Sequence, residues 1–330
     1  MAEFLTFDTD ITAVANAIRA KGGTSAQLVY PNGFVSAIQA IQTGITPKLV
    51  ITTAPGASIT ATPAEGFKVV KGTAGTDGMC TLELPKAGTW HVTAMANSVS
   101  NSQNIVIGTQ SMLLPLYHDT FADNTWEEII AVCRTGIAPD SWAVGDSKTM
   151  TIGGTAYQVD IIGKNHDEYA DGSGTAPLTF QLHDCYSEAK QMYSTNLSGL
   201  GWKNTDMRLT YLPAILALMP AEVQNGIHAV NKKTSEGGNS TTIETVSDTL
   251  FLLSEVEVFG TNHSSVPGEG IQYDYYKAGN PKIKKREGVD EFWWERSSAS
   301  GGMFCRVRAN GQAGASNASS SLGVSFAFCF

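Results

Sequence analysis

The stretch that decides the fold of the C-terminal part is residues 291–330, EFWWERSSASGGMFCRVRANGQAGASNASSSLGVSFAFCF. Residues 304–308 alternate apolar and polar side chains, which is the period of a half-buried strand, and residues 324–330 form a second aromatic strand. Between them, residues 309–321 are Gly, Ser, Ala and Asn apart from Gln312, with almost nothing able to fill a core. The pattern predicts a framework of aromatic strands that supports loops of small polar residues, as binding surfaces often have.

Three bulky residues, Phe292, Trp293 and Trp294, stand next to one another at the start of this stretch. Successive side chains of a strand point to opposite faces, so at least one of the three must face away from the others. We expect two of them in the core and one near the surface, where it could stack on a sugar.

Contact with a ligand is expected from polar residues that alternate with framework residues or lie in the small-residue tract. A solvated loop without a ligand is the alternative. The predicted ligand-binding set is Trp294, Arg296, Ser298, Ser300, Arg306, Arg308, Asn310, Gln312, Ser316, Asn317 and Ser319.

Several motifs in order carry a resemblance to a known family: residues 293–297 (WWERS), 304–307 (FCRV), 323–324 (GV) and 327–330 (AFCF). They resemble the ending WWLRS…FCxV…G…GVxPAFCF of an uncharacterised C-terminal domain common in tail and surface proteins of phages and prophages of gut-type bacteria. The chain departs from that pattern at Glu295, where Leu is commoner, and at Ser325-Phe326. Residues 163–185 and 250–260 also resemble segments of this family.

The resemblance implies a C-type-lectin-like fold. That fold is shared with the variable receptor-binding proteins of diversity-generating retroelements and with formylglycine-generating enzymes, which work through a cysteine pair. Retroelement diversification would concentrate changes between residues 297 and 325. An enzyme of the formylglycine-generating type remains an alternative, with Cys305 and Cys329 as its candidates.

Composition restricts the classes of partner. The chain has 330 residues, is 42% hydrophobic and only 16% charged, and carries a formal net charge of −9. This charge argues against a phosphate-backbone partner, so we expect no nucleic acid. The start lacks the basic region and apolar run of a signal peptide, and no stretch approaches the ~20 apolar residues of a membrane span.

The five cysteines, Cys80, Cys133, Cys185, Cys305 and Cys329, include no CxxC pair and no zinc spacing. Their odd number favours buried free thiols in a reducing cytoplasm. One bridge between Cys305 and Cys329 stays open, because the two could lie on adjacent strands.

Residues 1–46 are predicted to be a small helical module. Asp8-Thr9-Asp10 can cap a helix whose buried face is Ile11, Val14, Ala15 and Ile18, and Gly22 ends it. A second short helix is expected over residues 34–41. The sequence of residues 10–41 resembles a leader near the start of many phage tail proteins. This resemblance implies attachment to other tail proteins. An ordinary helical cap on the next domain is the alternative.

Residues 47–110 contain several short runs typical of strands, with turn signals between them. This regular spacing predicts an immunoglobulin-like sandwich. Residues 84–92, LPKAGTWHV, resemble the L…GTYTVT strand of bacterial carbohydrate-associated and phage Ig-like modules. On that interpretation Trp90 and Val92 point inward. We expect this domain to act as a spacer.

Residues 111–330 are assigned to the lectin-like domain, and the whole chain to the α+β class with several domains. Residues 126–134 predict a helix capped by residues 123–125, and residues 148–162 a hairpin around Gly153-Gly154. Further elements are expected at residues 180–185 (strand), 207–219 (helix with Leu209, Leu212, Ile215, Leu216 and Met219 buried) and 250–260 (buried strand).

The densest polar cluster, residues 163–167 with Asp171, raises the question of a metal. Asp167 and Asp171 in a glycine-bearing loop could hold Ca²⁺, but the spacing is not that of an EF-hand, and turns ordered by hydrogen bonds explain the cluster as well. Hydrolase and phosphate-loop signatures (GxSxG, a glycine loop ending in Lys-Ser/Thr) are missing from the sequence. We therefore expect no cofactor and no catalysis.

Together these features predict a phage or prophage tail structural protein, made in the host cytoplasm and placed in the virion tail. Its N-terminal module would join other tail proteins, and its C-terminal domain would present a face to a bacterial cell-surface receptor, a glycan or a protein. We expect a homo-oligomer, for which a trimer is the natural form although no heptad supports it, and no membrane insertion. The alternative is a bacterial surface protein of similar build.

Overall fold

The structure is a computed structural model and describes residues 8–22, 47–64, 66–107, 110–196, 199, 201–238 and 240–330. The chain forms two compact units, Met1–Tyr117 and His118–Phe330. Both contain β-sheets, and helices accompany them, so the α+β class is confirmed. Among the described residues, no helix has the length and apolar character that crossing a bilayer requires.

The predicted N-terminal helix is present as α1, Asp8–Gly22, and ends at the glycine that the sequence indicates. Ala15 and Ile18 are buried, but Val14 is exposed, so the predicted apolar face is narrower than expected. The second helix, predicted over residues 34–41, lies outside the described residues.

The remaining described part of the first unit is built from strands in two sheets. One has the order β4-β1-β7, in which β1 and β7 are parallel, and the other has the order β3-β2-β5-β6. The strands are β1 Lys48–Thr52, β2 Ser58–Pro63, β3 Val70–Thr73, β4 Met79–Glu83, β5 Gly88–Ala96, β6 Val99–Ile107 and β7 Gln110–Leu113.

The two sheets share one apolar core. Ile51 of β1 and Leu82 of β4 are buried in the same cluster as Trp90 and Val92 of β5, which point inward as predicted. The Nε1 of Trp90 donates a hydrogen bond to the carbonyl oxygen of Lys86 at 3.1 Å. The alternating burial of β4 and β5 is what a sheet covered on one face shows.

The partition of these strands differs from that of a constant-type immunoglobulin domain. There the first, second, fourth and fifth strands share a sheet, whereas here β1 and β4 pair with β7 and leave β2 and β5 to the other sheet. The C-terminal boundary of this unit also differs from the predicted one. Because β7 pairs with β1, the first unit extends to Tyr117 and does not end at 110.

The second unit begins with the predicted helix, α2, Trp126–Cys133. Its N-cap is Thr125, whose hydroxyl oxygen accepts from the N–H of Glu128 while the Glu128 carboxylate accepts from the N–H of Thr125. This reciprocal capping box satisfies two N–H groups that would otherwise lack partners. Trp126 packs edge-on against Phe180 and Phe330, which fixes α2 on the sheet described next.

A sheet in the order β13-β19-β10-β9-β8 forms the body of this unit. The predicted hairpin is confirmed: β8 and β9 are joined at Gly153 and Gly154, both with positive φ. Phe180 of β10 packs against Phe328 and Phe330, with ring centroids 5.3 Å apart in each case. The strands are β8 Ser147–Ile152, β9 Thr155–Lys164, β10 Leu178–Leu182, β13 Leu250–Phe251 and β19 Ala327–Cys329.

A second sheet, in the order β16-β17-β18, is formed by β16 Trp293–Ala299, β17 Met303–Val307 and β18 Ala313–Asn317. The two aromatic strands of the opening stretch therefore lie in different sheets, β17 here and β19 in the other. Gly323, which precedes β19 in the chain, is hydrogen-bonded to the start of β16. Its carbonyl oxygen accepts from the N–H of Trp294 at 3.0 Å, and its N–H donates to the carbonyl oxygen of Phe292 at 2.8 Å.

Smaller elements complete the unit. Strands β11 Val230–Ser235 and β12 Ile243–Asp248 form one hairpin, and β14 Lys284–Arg286 and β15 Val289–Glu291 form another. The helices are α3 Leu212–Leu216, α4 Ala221–Gly226, α5 Glu255–Phe259 and α6 Asp274–Lys277, with short turns at Phe121–Asp123 and Trp202–Asn204.

Two predicted elements are wrong in part. The helix expected over residues 207–219 is a π-helical turn, Met207–Tyr211, followed by the short α3, and Leu209 is 56% exposed. The strand expected over residues 250–260 ends at Phe251, because Ser254 and Glu257 form a capping box that starts α5.

Candidate functional site

The side chains predicted to contact a ligand fall into a surface group, whose members are exposed or half-buried, and a buried group. The surface group lies on the hairpin of β17 and β18 and on its two ends. We name this surface the terminal face and define it as Phe292, Ser300, Arg306, Arg308, Asn310, Gln312, Ser316 and Ser319.

The centre of the terminal face is an arginine on an aromatic ring. The guanidinium carbon of Arg306 lies 4.3 Å from the ring centroid of Phe292, which is 38% exposed. Nε of Arg306 donates to the carbonyl oxygen of Ala315 at 3.3 Å, while Nη1 is buried and has no hydrogen-bond partner among the described residues. Arginine held over an aromatic ring in this way adds apolar contact area to its positive charge.

Arg308 lies on the same side of the hairpin, since alternate residues of a strand share a face. Its side chain covers Gly314, where a Cβ atom would meet Nε of Arg308 at 2.8 Å. Burial lowers the pKa of Arg306, and the positive charge of Arg308 lowers it further. Two arginines that repel each other on a partly covered surface favour an anionic or strongly polar ligand.

The turn that joins β17 to β18 is fixed by its own hydrogen bonds. The N–H of Arg308 donates to the carbonyl oxygen of Gln312 at 2.7 Å, and the N–H of Gln312 donates to Oδ1 of Asn310 at 3.2 Å. Gly311 has a φ of +81°, a conformation that glycine adopts without strain. Asn310 and Gln312 are thereby exposed at one end of the face.

At the other end, Ser319 is held by a neighbouring loop. Its hydroxyl donates to Oδ1 of Asn196 at 2.5 Å, and the N–H of Ala318 donates to the carbonyl oxygen of Gly302 at 3.0 Å. Ser300 and Asn317 are also exposed. By strand alternation Ser316 shares the side of Arg306, whereas Asn317 points to the opposite side and lies outside the terminal face.

Three predicted contact residues, Trp294, Arg296 and Ser298, are buried in β16, so their assignment as ligand contacts is wrong. All seven residues of β16 are buried, because this strand is covered on both faces. Nε1 of Trp294 donates to the carbonyl oxygen of Lys190 at 2.8 Å. The division of the aromatic trio is confirmed: Trp293 and Trp294 are in the core, and Phe292 is at the surface.

Arg296 belongs to a buried network of charged side chains. It forms an ion pair with Glu257, whose Oε1 lies 2.8 Å from Nζ of Lys232, and that Nζ lies 2.7 Å from Oδ1 of Asp167. Burial acts to raise the pKa of Asp167, but the charges of Lys232 and His166 and two hydrogen bonds outweigh it, so the pKa is about 2.

The calcium site considered for Asp167 and Asp171 is not formed. The oxygens of Asp167 are occupied by Lys232, by the hydroxyl of Thr179 at 2.6 Å and by the hydroxyl of Tyr273 at 2.8 Å. Asp171 is exposed, and its carboxylate accepts from the N–H of Ser173 at 2.9 Å. The hydrogen-bonded turn, which was the other interpretation, describes Asp171 better.

A cavity of about 250 Å³ lies above the charged network. His166, stacked on Tyr273 with ring centroids 3.9 Å apart, forms part of its wall together with Gly270 and Ile271. The charges of Lys232 and Glu257 beneath it are already paired. Exposed Glu168 and Lys233 also line the cavity, so it offers a ligand polar walls with one exposed charge of each sign.

The cysteines are free and buried, as predicted. Cys305 lies in β17 beside Glu255 and Glu295, whereas Cys329 lies in β19, with its Sγ 3.4 Å from the hydroxyl of Thr179. The bridge left open between them is not formed. The cysteine pair that a formylglycine-generating mechanism needs is also not assembled from these two residues.

Sequence reasoning missed Lys232, Glu257, Glu269 and Tyr273, which surround Arg296 and Asp167. One signal for this group was readable: Ser254 and Glu257 have the S-x-x-E spacing of a capping box. The other three stand in segments without such a signal, and only the tertiary fold brings them together.

Part of the second unit is similar to a known protein family. Residues 179–330 match the family described as a domain of unknown function, DUF6273. Of the curated proteins, none matches the chain. The matched segment begins in β10 and includes the whole terminal face.

Proposed function

We propose that this protein binds a bacterial cell surface through the terminal face and acts as a structural component of a phage or prophage tail. The resemblance of residues 293–330 to endings of tail and surface proteins supports the setting. The feature that carries the proposal is Arg306 over the ring of Phe292 with Arg308 beside it. Arginine and aromatic residues are the types that dominate binding energy at protein surfaces.

Binding without catalysis fits the construction of the face. The exposed polar residues are carried by a hairpin whose neighbouring strand, β16, is entirely buried, so the face is presented by a rigid support. A preorganised surface loses little conformational entropy when it binds. Several modest hydrogen bonds per chain are then multiplied by avidity when chains are assembled together.

In this proposal the other parts of the chain position the face. The N-terminal module joins other tail proteins, the sheets of the first unit act as a spacer, and the assembled protein is a homo-oligomer, with a trimer as the expected form. The receptor is a glycan or protein of the host surface. Its chemistry is expected to include anionic groups, because two arginines meet it.

The proposal is tested by cell binding of the full chain. Fluorescently labelled protein is applied to a panel of gut-type bacteria, and the strain it binds is used to compare Arg306→Ser/Arg308→Ser with the wild type by flow cytometry. We expect affinity to fall by about tenfold or more, the equivalent of ~1.4 kcal/mol.

A matched control removes the same charge elsewhere in the second unit. Arg134 follows α2 and Lys277 ends α6, and both are exposed. Arg134→Ser/Lys277→Ser is expected to bind as the wild type does. Equal loss in both double variants would show that net charge alone drives binding and would overturn the role of the terminal face.

A further inference from the structure

We propose that Glu255, Glu295 and Cys305 form a buried site for a divalent transition-metal ion, for which Zn²⁺ is the best fit. The site lies where α5, β16 and β17 meet, behind the terminal face. Its role is structural and independent of the proposed function, since the three side chains are fully enclosed.

The geometry brings three ligand atoms together from distant parts of the chain. One carboxylate oxygen each of Glu255 and Glu295 and the Sγ of Cys305 all lie within 4.8 Å of one another. Ligand atoms around a tetrahedral zinc ion, bound at 2.0–2.3 Å, are separated by roughly 3.5 Å. Small side-chain rotations are therefore enough to close the three donors around one ion.

An independent observation points to a missing ligand. Both carboxylate oxygens of Glu295 are buried and have no hydrogen-bond partner among the described residues. A buried polar group without a partner destabilises the fold, and more so when it is charged. Since Glu295 points into the same space as Glu255 and Cys305, one cation there would satisfy it.

The composition of the cluster also favours a cation. The carboxyls of Glu255 and Glu295 face the Sγ of Cys305. The neighbouring guanidinium of Arg296 is already bound to Glu257. The three side chains are thus all potential ligands of a metal ion, and none of them is a cation.

Glu255 is held in place by hydrogen bonds from the segment of residues 263–265. Its carboxylate accepts from the N–H groups of His263, Ser264 and Ser265, each at 2.9 Å to Oε2, and from the hydroxyl of Ser265 at 2.7 Å. These bonds occupy Oε2, whereas Oε1 accepts a longer bond of 3.2 Å from the N–H of Ser264. Oε1 thus keeps capacity to bind an ion.

The donor set decides the class of metal. A thiolate with two carboxylates is too soft for Ca²⁺ or Mg²⁺, which take oxygen ligands, and suits Zn²⁺ or a neighbouring transition metal. Binding requires that Cys305 lose its thiol proton to solvent, so the ion must enter before the site closes during folding. The bound ion would fix α5 against the strands that support the terminal face.

Metal content of the full chain is the test. Protein from cells grown with added zinc is purified and its metal measured by elemental analysis, beside Glu295→Gln and Cys305→Ala. We expect one ion per chain in the wild type and essentially none in either variant. Replacement by Co²⁺ should give a thiolate-to-cobalt absorption band that Cys305→Ala abolishes.

Two matched controls separate this site from adventitious binding. Cys329→Ala removes another buried thiol, and Glu269→Gln removes another buried carboxyl with an unpartnered oxygen. Both are expected to keep the ion. Metal that persists in Glu295→Gln and Cys305→Ala, or a wild type without metal, overturns the proposal.

Folding of each variant is checked by tryptophan emission. If neither Glu295→Gln nor Cys305→Ala folds, X-ray absorption at the metal edge of the wild type identifies the ligand atoms of the ion. One sulfur with oxygen ligands supports the site, and oxygen or nitrogen ligands alone contradict it. A metal-free wild type that Glu295→Leu stabilises against heat would show that Glu295 is simply a buried acid.

Discussion

Arg296 and Glu257 form a buried ion pair with two hydrogen bonds in the interior of the second unit. Nη2 of Arg296 donates to Oε1 of Glu257 at 2.9 Å, and Nη1 donates to Oε2. Other guanidinium N–H groups donate to the carbonyl oxygens of Leu252, Lys233 and Glu269. One side chain thereby connects α5 with β11, β16 and the segment that contains Glu269.

Replacing Arg296 by Met is expected to destabilise the second unit strongly. The substitution leaves Glu257 buried with only Lys232 to compensate it, and removing one member of a buried ion pair typically costs 3–5 kcal/mol. The free energy of unfolding can be followed by tryptophan fluorescence in urea, because every tryptophan except Trp90 lies in this unit.

The exposed Arg308 offers a control for this measurement. Arg308→Met, on the terminal face, should change the free energy of unfolding by no more than about 0.5 kcal/mol. If Arg296→Met unfolded no more easily than Arg308→Met, the guanidinium would not have the structural role that its contacts indicate.

A methyl group at Gly323 is expected to destabilise the junction between the two sheets. A Cβ atom there would lie 2.5 Å from Sγ of Cys185 and 3.0 Å from the carbonyl oxygen of Phe292. We expect Gly323→Ala to cost about 1–3 kcal/mol, the usual range for overpacking. Gly199→Ala serves as the control in the same urea titration, because a Cβ atom there meets none of the described residues within 4 Å.

The pair of His183 and Asp160 predicts a pH dependence. Nδ1 of His183 lies 2.7 Å from Oδ2 of the buried Asp160, and this hydrogen bond raises the pKa of His183 above its usual 6.5. A raised pKa means that the contribution to stability is complete below about pH 6.5 and is lost as pH rises through the folded-state value.

We therefore expect the melting temperature of the wild type, relative to His183→Gln, to fall as pH rises from about 6 to 8. The comparison between the two proteins cancels the titration of groups that they share. A difference in melting temperature that stays constant over this range, or grows with pH, would show that His183 is not stabilised by Asp160 in its charged form.

Local signals in the sequence predicted the local elements well. Thr125 and Glu128 are spaced as a capping box, and helix α2 starts there. Gly153 and Gly154 separate two alternating runs, and a tight hairpin turn forms at that point. In both cases the interactions that fix the structure are made by neighbours in the chain, so the sequence is sufficient to predict them.

Predictions failed where burial is set by distant segments. Arg296 and Ser298 were expected at the surface because charged and small polar residues usually are, but β16 is covered on both faces and its charge is paired with Glu257. Likewise, β1 and β4 lie in one sheet and β2 and β5 in the other, and this division depends on which strands pair with each other. Periodicity within one strand contains no information about its partners.

The central claim, that the terminal face meets the cell surface, is tested most directly by hydrogen–deuterium exchange. The full chain is compared free and bound to cell-wall fragments from a strain that it recognises. We predict slower amide exchange on binding in peptides that cover residues 303–319. Unchanged exchange in those peptides, with protection elsewhere in the chain, would contradict the claim.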